Sequence, residues 1–513
     1  MIKLKLTFFI IIGLVFLGGC GANPSRTKAK HLRLCVDHPI KTLDPHIGTA
    51  SPSIHVIKML YEGLMVRMVD GELKKGVAED YTISEDKKTY TFFLRKSRWS
   101  NGEAVTAYDF ESAWKKAIGA PYYGAMFFNS IKNAALFKEG KVSSEQLGVR
   151  AIDDYILEVE LEHPIPYFLE LTACVNFSPV YTKEKGVTNG PFILKKWDFG
   201  RSLLLLKNDE YWDANSIQIP GVHIKVVPDQ ATRHDLFEKG KIDWIGDPLS
   251  PLNPDAIESC HLEDHVVSSP LNGINWLVLN TKRFPFNNKN LRKALSYAIS
   301  RRDITKYLLT GSKHPAMRLI RQGENHYFQD GDLENAQLLF NSALKELGLT
   351  RETFPEIVIS YCPVFYQPCL VHMIQSQWES AFGVRIKLDP VDQGLLYNQM
   401  AKGSFQIGSM FWLSIIQDPV YILDYFRSKG IHSNVSRWTC PFYKELMSQV
   451  DEESDLTLRA KLLEQAEAHV IDEMPVIPIC FGSALYLKQK NLENVNVSPF
   501  MELDIKNTTL KEE

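Results

Sequence analysis

Three stretches carry residue types that could do chemistry. Cys20 stands in "GLVFLGGCGANPS", Gly13 to Ser25, where an apolar run stops at two glycines and the chain turns polar, leaving a thiol placed for covalent attachment. "CHLEDH" puts His261 and His265 four apart, a spacing that on a helix would turn both imidazoles to one face for a metal. The surrounding "NPDAIESCHLEDHVVSSP" has no helical apolar pattern, so a polar loop with scattered histidines is the plainer reading. Ser84 and Lys87 make an S-x-x-K, but "ISEDKKTY" reads as an exposed turn before a strand. G-x-S-x-G, H-E-x-x-H and G-x-x-x-x-G-K-[ST] do not occur. The chain therefore offers a site of attachment and no catalytic constellation, and it is expected not to be an enzyme.

The segment before Cys20 has Lys3 and Lys5, no acid, and an apolar run of ten residues from Phe8 to Leu17. That is half of the roughly 20 residues a spanning helix needs. A basic flank, a short apolar core and small residues at its end describe an export signal, residues 1–19. Leu17-Gly18-Gly19-Cys20 resembles the bacterial lipobox, which implies cleavage before Cys20 and a diacylglycerol on its sulfur. Acyl chains contribute about 0.8 kcal/mol per buried methylene, and a stable anchor takes more than one chain. The polar stretch 20–30 then reads as a leash, with the remaining chain exported and held at a bacterial membrane, facing the periplasm or the cell exterior.

The chain has 513 residues, more than one core holds, so two or three domains are expected. Its 45% hydrophobic, 11% aromatic and 23% charged residues are those of a globular protein, and its net charge is -3. No basic block argues for nucleic acid, and no second apolar run approaches a membrane span. With Cys20 lipidated, Cys35, Cys174, Cys260, Cys362, Cys369, Cys440 and Cys480 remain, an odd set without C-x-x-C spacing that names no disulfide.

The elements that must position any site alternate. "LRLCV" reads as a strand, Ser51 to Leu64 as a helix with Ile54, Ile57, Leu60 and Tyr61 in register, and "KTYTFFL" as a strand. Asn101-Gly102 marks a turn, and Thr106 with Asp109 opens a helix through a variant capping box. "YILEVELE", "GPFILKKW" and "SLLLLKND" read as strands, as do "LNGINWLVLNT", "EIVISY" and "VRIKLDP". "NLRKALSYAISRRDITKYLL" reads as one long helix and "CLVHMIQSQWESAF" as another. Strands alternating with helices of ten to fifteen residues predict α/β domains, and no linker or short repeat separates them.

Nine segments in order, "TLDPH", "LYEGLM", "YTFFLRKSRWSNGEAVTAYDF", "GPFILKKW", "KNDEYWD", "GKIDW", "LRKALSYAI", "QDPVYIL" and "AEAHVIDEMPVIPI", resemble the family-5 solute-binding proteins of ABC importers. "LGVRAIDDYILEVELEHPIPYFLELT" resembles the oligopeptide-binding branch. The resemblance implies an α/β fold, the two-lobed periplasmic-binding-protein fold of class II type with an extra small α+β domain, the ligand enclosed between the lobes. Lobe I would gather 31–62, 190–278 and 488–513, the extra domain 63–189, and lobe II 279–487. It implies a monomer without cofactor that captures a peptide by domain closure and hands it to the permease and ATPase subunits of a transporter.

In such a family the peptide backbone is held by strand addition, with main-chain hydrogen bonds supplying affinity. On matching positions one pairing edge would be Thr49, Ala50 and Ser51, and the other Phe411, Trp412, Leu413 and Ser414. Tyr122 and Trp276 match aromatic wall positions, and Trp412 matches the pocket tryptophan. One position departs from the pattern. Peptide binders of this family place an aspartate three residues after that tryptophan to pair with the ligand's ammonium, and here the residue is Ile415. Asp418 lies three residues on, and Ser409 stands where close relatives carry an arginine. An ammonium facing isoleucine costs several kcal/mol. The resemblance therefore leaves open a peptide in another register, a blocked or γ-linked one such as glutathione or a wall peptide, and another small solute, metal or haem included. A non-transport interaction lipoprotein on the same fold is the remaining alternative.

Overall fold

The computed structural model describes residues 30–48, 51–252, 265–308, 313–323, 325–364, 366–427 and 434–511. The leader, Cys20, Thr49, Ala50, Cys260 and His261 lie outside the described residues.

One continuous sheet carries the architecture. Its order is Ile386–Pro390, Ile357–Tyr361, Ile407–Leu413, Val266–Leu279, Val476–Lys488, Trp244–Gly246, Leu32–Val36, Gly221–Val226, Ser202–Lys207, Phe192–Asp198, with His314–Pro315 added against Val476–Lys488. Leu32–Val36 lies parallel to Gly221–Val226 and Trp244, and both of its faces are covered. Leu32, Leu34 and Val36 enter one apolar core and Cys35 another, which is the period-two consequence of a doubly buried strand.

The cores divide the molecule three ways. One draws its residues from Ile274 to Phe481, including the Leu333–Leu347 and Gln367–Phe382 helices. A second is built almost wholly from Leu64 to Val187, where a four-stranded antiparallel sheet packs on the Ala107–Ile118 helix. That helix buries Ala107, Phe110, Ala113, Trp114, Ala117 and Ile118, one stripe at helical spacing, in one core with Tyr90, Phe92, Leu94, Val149, Leu157 and Val159 of the sheet. The third joins Leu32–Val36 to the 192–224 strands and the C-terminal segment.

Two long antiparallel strands, Val266–Leu279 and Val476–Lys488, link the first core to the third. Ile274 to Leu279 and Val476 to Phe481 belong to one core, Leu271, Ala484 and Tyr486 to the other, and the register shifts between Pro270 and Ile274 where the strands pass from lobe to lobe.

Local reading of the sequence meets the structure closely at the Asp109 carboxylate, which accepts the Thr106 backbone N–H at 2.8 Å and the hydroxyl at 3.0 Å. It overreaches in two places. The first helix is Ser53–Leu60 only. "NLRKALSYAISRRDITKYLL" is not one helix: Lys289–Tyr297 ends, and a new start follows at Ser300, whose hydroxyl accepts the Asp303 N–H. The break serves Arg301, fully buried, which donates to the carbonyls of Pro478, Ser296 and Ile299 and pairs with Asp330 at 3.3 Å. A buried guanidinium needs several acceptors, and carbonyls freed at a helix end supply them.

Candidate functional site

Where the three cores approach one another lies a cavity of about 780 Å3, with a mostly apolar lining. Ile54, His55 and Lys58 enter it from one face of the Ser53–Leu60 helix, and Ser51 enters from just before its start. Across from it, Met410, Phe411, Trp412 and Leu413 all line the cavity, although neighbours on a strand point to opposite faces. Trp412 and Met410 pack toward one lobe's core, Phe411 and Leu413 toward the other's. Both faces of this strand can reach the cavity only if its edge is turned toward it.

The register agrees. Val266–Leu279 pairs with this strand from Ile407 through Leu413, whereas Ile357–Tyr361 on the other side pairs only from Ile407 to Ser409. Met410 to Leu413 thus present a strand edge without a ladder partner among the described residues, the surface on which an extended segment can add.

Phe411 is fixed by missing side chains. A Cβ on Gly273 would lie 2.6 Å from its ring, and one on Gly482 would lie 2.7 Å from it. The ring therefore rests on two bare backbones at the point where both long strands change lobes. Trp412 meets Tyr421 at 5.2 Å and Trp276 at 6.0 Å between ring centroids.

Charge enters at one place. Lys58 Nζ lies 2.7 Å from Glu502 Oε2, and Arg67, almost wholly buried, stands 3.9 Å from Glu502 Oε1. Burial pushes the Glu502 carboxyl up, but Lys58 and Arg67 together outweigh it and hold the group below its ordinary value. His55 is pushed down to about 3 by burial, with Lys58 adding to the shift and Glu502 opposing it, so its imidazole is neutral. Cys174, also at the wall, is pushed up to about 11 by burial and stays a thiol.

The structure brings Ser51, Phe411, Trp412, Leu413 and Ile415 together around this cavity. Thr49 and Ala50 lie outside the described residues. Ser414 is turned away, its hydroxyl donating to the Ile416 carbonyl. Trp276 is buried behind Trp412, against Tyr425 at 5.3 Å, and is not part of the lining. Tyr122 is half exposed and outside the lining too; the same short helical turn contributes Phe127 instead. Ser409 is buried and donates to Gln367 Oε1 at 2.8 Å. His265, whose partner histidine lies outside the described residues, has its ring 3.1 Å from the Lys488 carbonyl. The six described cysteines, Cys35, Cys174, Cys362, Cys369, Cys440 and Cys480, are all unbridged.

Sequence reasoning missed Lys58, Glu502, Phe127, Tyr421 and Tyr425, all of which line the cavity. Lys58 had a signal, a lysine inside the apolar "IHVIKML" of a helix due to be buried. Glu502 had none, because only the return of the C-terminal segment brings it beside Lys58.

Residues 72–434 match the family model of bacterial extracellular solute-binding proteins, family 5 (middle). The oligopeptide-binding protein OppA of Bacillus subtilis is 33% identical over 541 residues, covering 100% of this chain and 99% of that protein. Listeria monocytogenes OppA, solved with bound peptide, is 26% identical and superposes with a TM-score of 0.76 over 94% of this chain and 100% of its own. An oligopeptide-binding protein of Borrelia burgdorferi, 24% identical, shares the fold with a TM-score of 0.80 over 94% of this chain and 99% of its own. With the family model spanning most of the chain and a relative matched from end to end, this protein belongs to the family-5 bacterial extracellular solute-binding proteins.

Proposed function

We propose that this protein captures oligopeptides or peptide-like solutes between its lobes and delivers them to the permease of an ABC importer. The open strand edge at Met410 to Leu413, in the wall of the cavity, is the observation that carries this reading. Backbone pairing there supplies affinity without regard to side chains, and aromatic walls supply apolar area at low entropic cost. The names of the Bacillus and Listeria relatives support the peptide class.

The two lobes of this reading are 31–62 with 190–278 and 488–513, and 279–487, and 63–189 is the extra domain; the cores move two of these bounds, since Ile274 to Val278 pack with the second lobe and Ala484 and Tyr486 with the first. Cys20 carries the lipid, and the 20–30 leash keeps a capture protein near its transporter, raising its effective concentration there. Thermal unfolding with a peptide panel tests the reading. A ligand that binds only the native state stabilises it by about 2.7 kcal/mol at a hundredfold excess over Kd, and a panel of free and blocked peptides with no effect on Tm would refute it.

A further inference from the structure

The cavity's charge inventory narrows the solute. Among the described lining residues, Glu502 is the one carboxylate and Lys58 the one ammonium, with the neutral His55 a helical turn away. Glu502 is engaged from two sides, by Lys58 at 2.7 Å and Arg67 at 3.9 Å. Glu170, 3.7 Å from Arg67 on another side, is pushed up by burial and accepts the Gln417 amide. Asp418, the next carboxylate along the chain from Trp412, is held by Arg459 through both of its oxygens, at 2.8 and 3.2 Å. An ammonium brought into this cavity would meet an apolar wall at Ile415 and Tyr421, or a carboxylate already flanked by two cations. Burying it there unpaired costs several kcal/mol.

A carboxylate meets the opposite situation. Lys58 offers three donors and, among the described residues, pairs with Glu502 alone, which Arg67 also approaches at 3.9 Å. His55 is buried and its Nδ1 has no hydrogen-bond partner among the described residues, a second polar atom beside Lys58. Trp412, Ile415, Tyr421, Tyr425 and Phe127 furnish apolar surface for the rest of the solute.

We infer that the cavity takes an apolar solute bearing a carboxylate and no free ammonium, with the carboxylate at Lys58. Two sources share this chemistry, an N-blocked peptide with a free C-terminus and an amphipathic acid. The inference rests on the proposed role of this cavity as the solute site and names the class of solute.

Isothermal titration with four probes tests it: Leu-Leu-Phe, N-acetyl-Leu-Leu-Phe, the acetylated C-terminal amide, and decanoate. The acetylated acid is expected to bind at least tenfold tighter than either the free amine or the amide. Lys58→Met should bring the acid down to the level of the amide and leave the amide unchanged, while Lys58→Arg retains the preference. Decanoate bound with neither acetylated peptide bound would support the carboxylate site, assign it to an amphipathic acid, and refute peptide capture. Leu-Leu-Phe bound as tightly as its acetylated form would overturn the inference and leave peptide capture standing. An amide bound as tightly as the acid would overturn the role of Lys58, and failure of all four would overturn both readings.

Discussion

Asp418 and Arg459 form a two-armed ion pair at 2.8 and 3.2 Å, with both side chains largely withdrawn from solvent. The Asp418 carboxylate also accepts the Val420 N–H at 2.9 Å, so it fixes the start of the short Val420–Leu423 helix rather than facing a ligand. The carboxylate nearest Trp412 along the chain is therefore a structural one. Asp418→Asn should destabilise the protein by about 3–5 kcal/mol, the effect of breaking a buried pair from one side. Urea unfolding measures this, and the rank order of bound solutes should survive the change.

Gly482 leaves room for the Phe411 ring, and a methyl group there would sit 2.7 Å from it. Gly482→Ala is expected to cost about 1–3 kcal/mol through overpacking and to weaken solute binding by moving the ring. The double variant with Phe411→Ala should recover part of the stability and none of the affinity. Calorimetry and titration on the two variants separate these effects.

Trp412 and Trp276 touch, yet their substitutions should differ. Trp412→Ala removes cavity wall, so solute affinity falls more than stability. Trp276, 1% exposed and behind it, should lose about 3–5 kcal/mol of stability as Trp276→Ala, with affinity falling only through the loosened Trp412 ring. Equal losses of stability in the two variants would contradict this assignment.

His55 gives the fold a dependence on acid. Its folded-state value of about 3 lies below the ordinary value of 6.5, so the unfolded chain takes up a proton first as the pH falls. Its contribution is complete above pH 6.5 and is lost between there and pH 3, at up to about 1.4 kcal/mol per pH unit. His55→Leu should flatten that limb of a plot of stability against pH. Glu502, which faces the ring, is held below its ordinary value by the neighbouring cations and leaves the sign unchanged.

What the sequence made legible was local or periodic. The Leu32–Val36 strand and the Thr106–Asp109 helix start depend on neighbours in the chain, and both could be read there. The break before Ser300 could not, because its cause is Arg301 reaching carbonyls of a distant strand. At the site, the Phe411 to Leu413 wall followed from a motif, but Lys58 and Glu502 meet only through the closing of the third core. Tyr122 and Phe127 show the same limit: both belong to one aromatic-rich turn, and the way it packs on its domain decides which ring reaches the cavity.

On the proposed function, solute enters the cavity beside Met410 to Leu413 and draws the lobes together. Small-angle X-ray scattering of the purified protein, titrated with a solute selected by thermal shift, tests this most directly. The radius of gyration should be smaller at saturation, with the change abolished in Trp412→Ala at the same solute concentration. A solute that binds tightly with no change in radius, or that binds Trp412→Ala as well as the wild type, would contradict it.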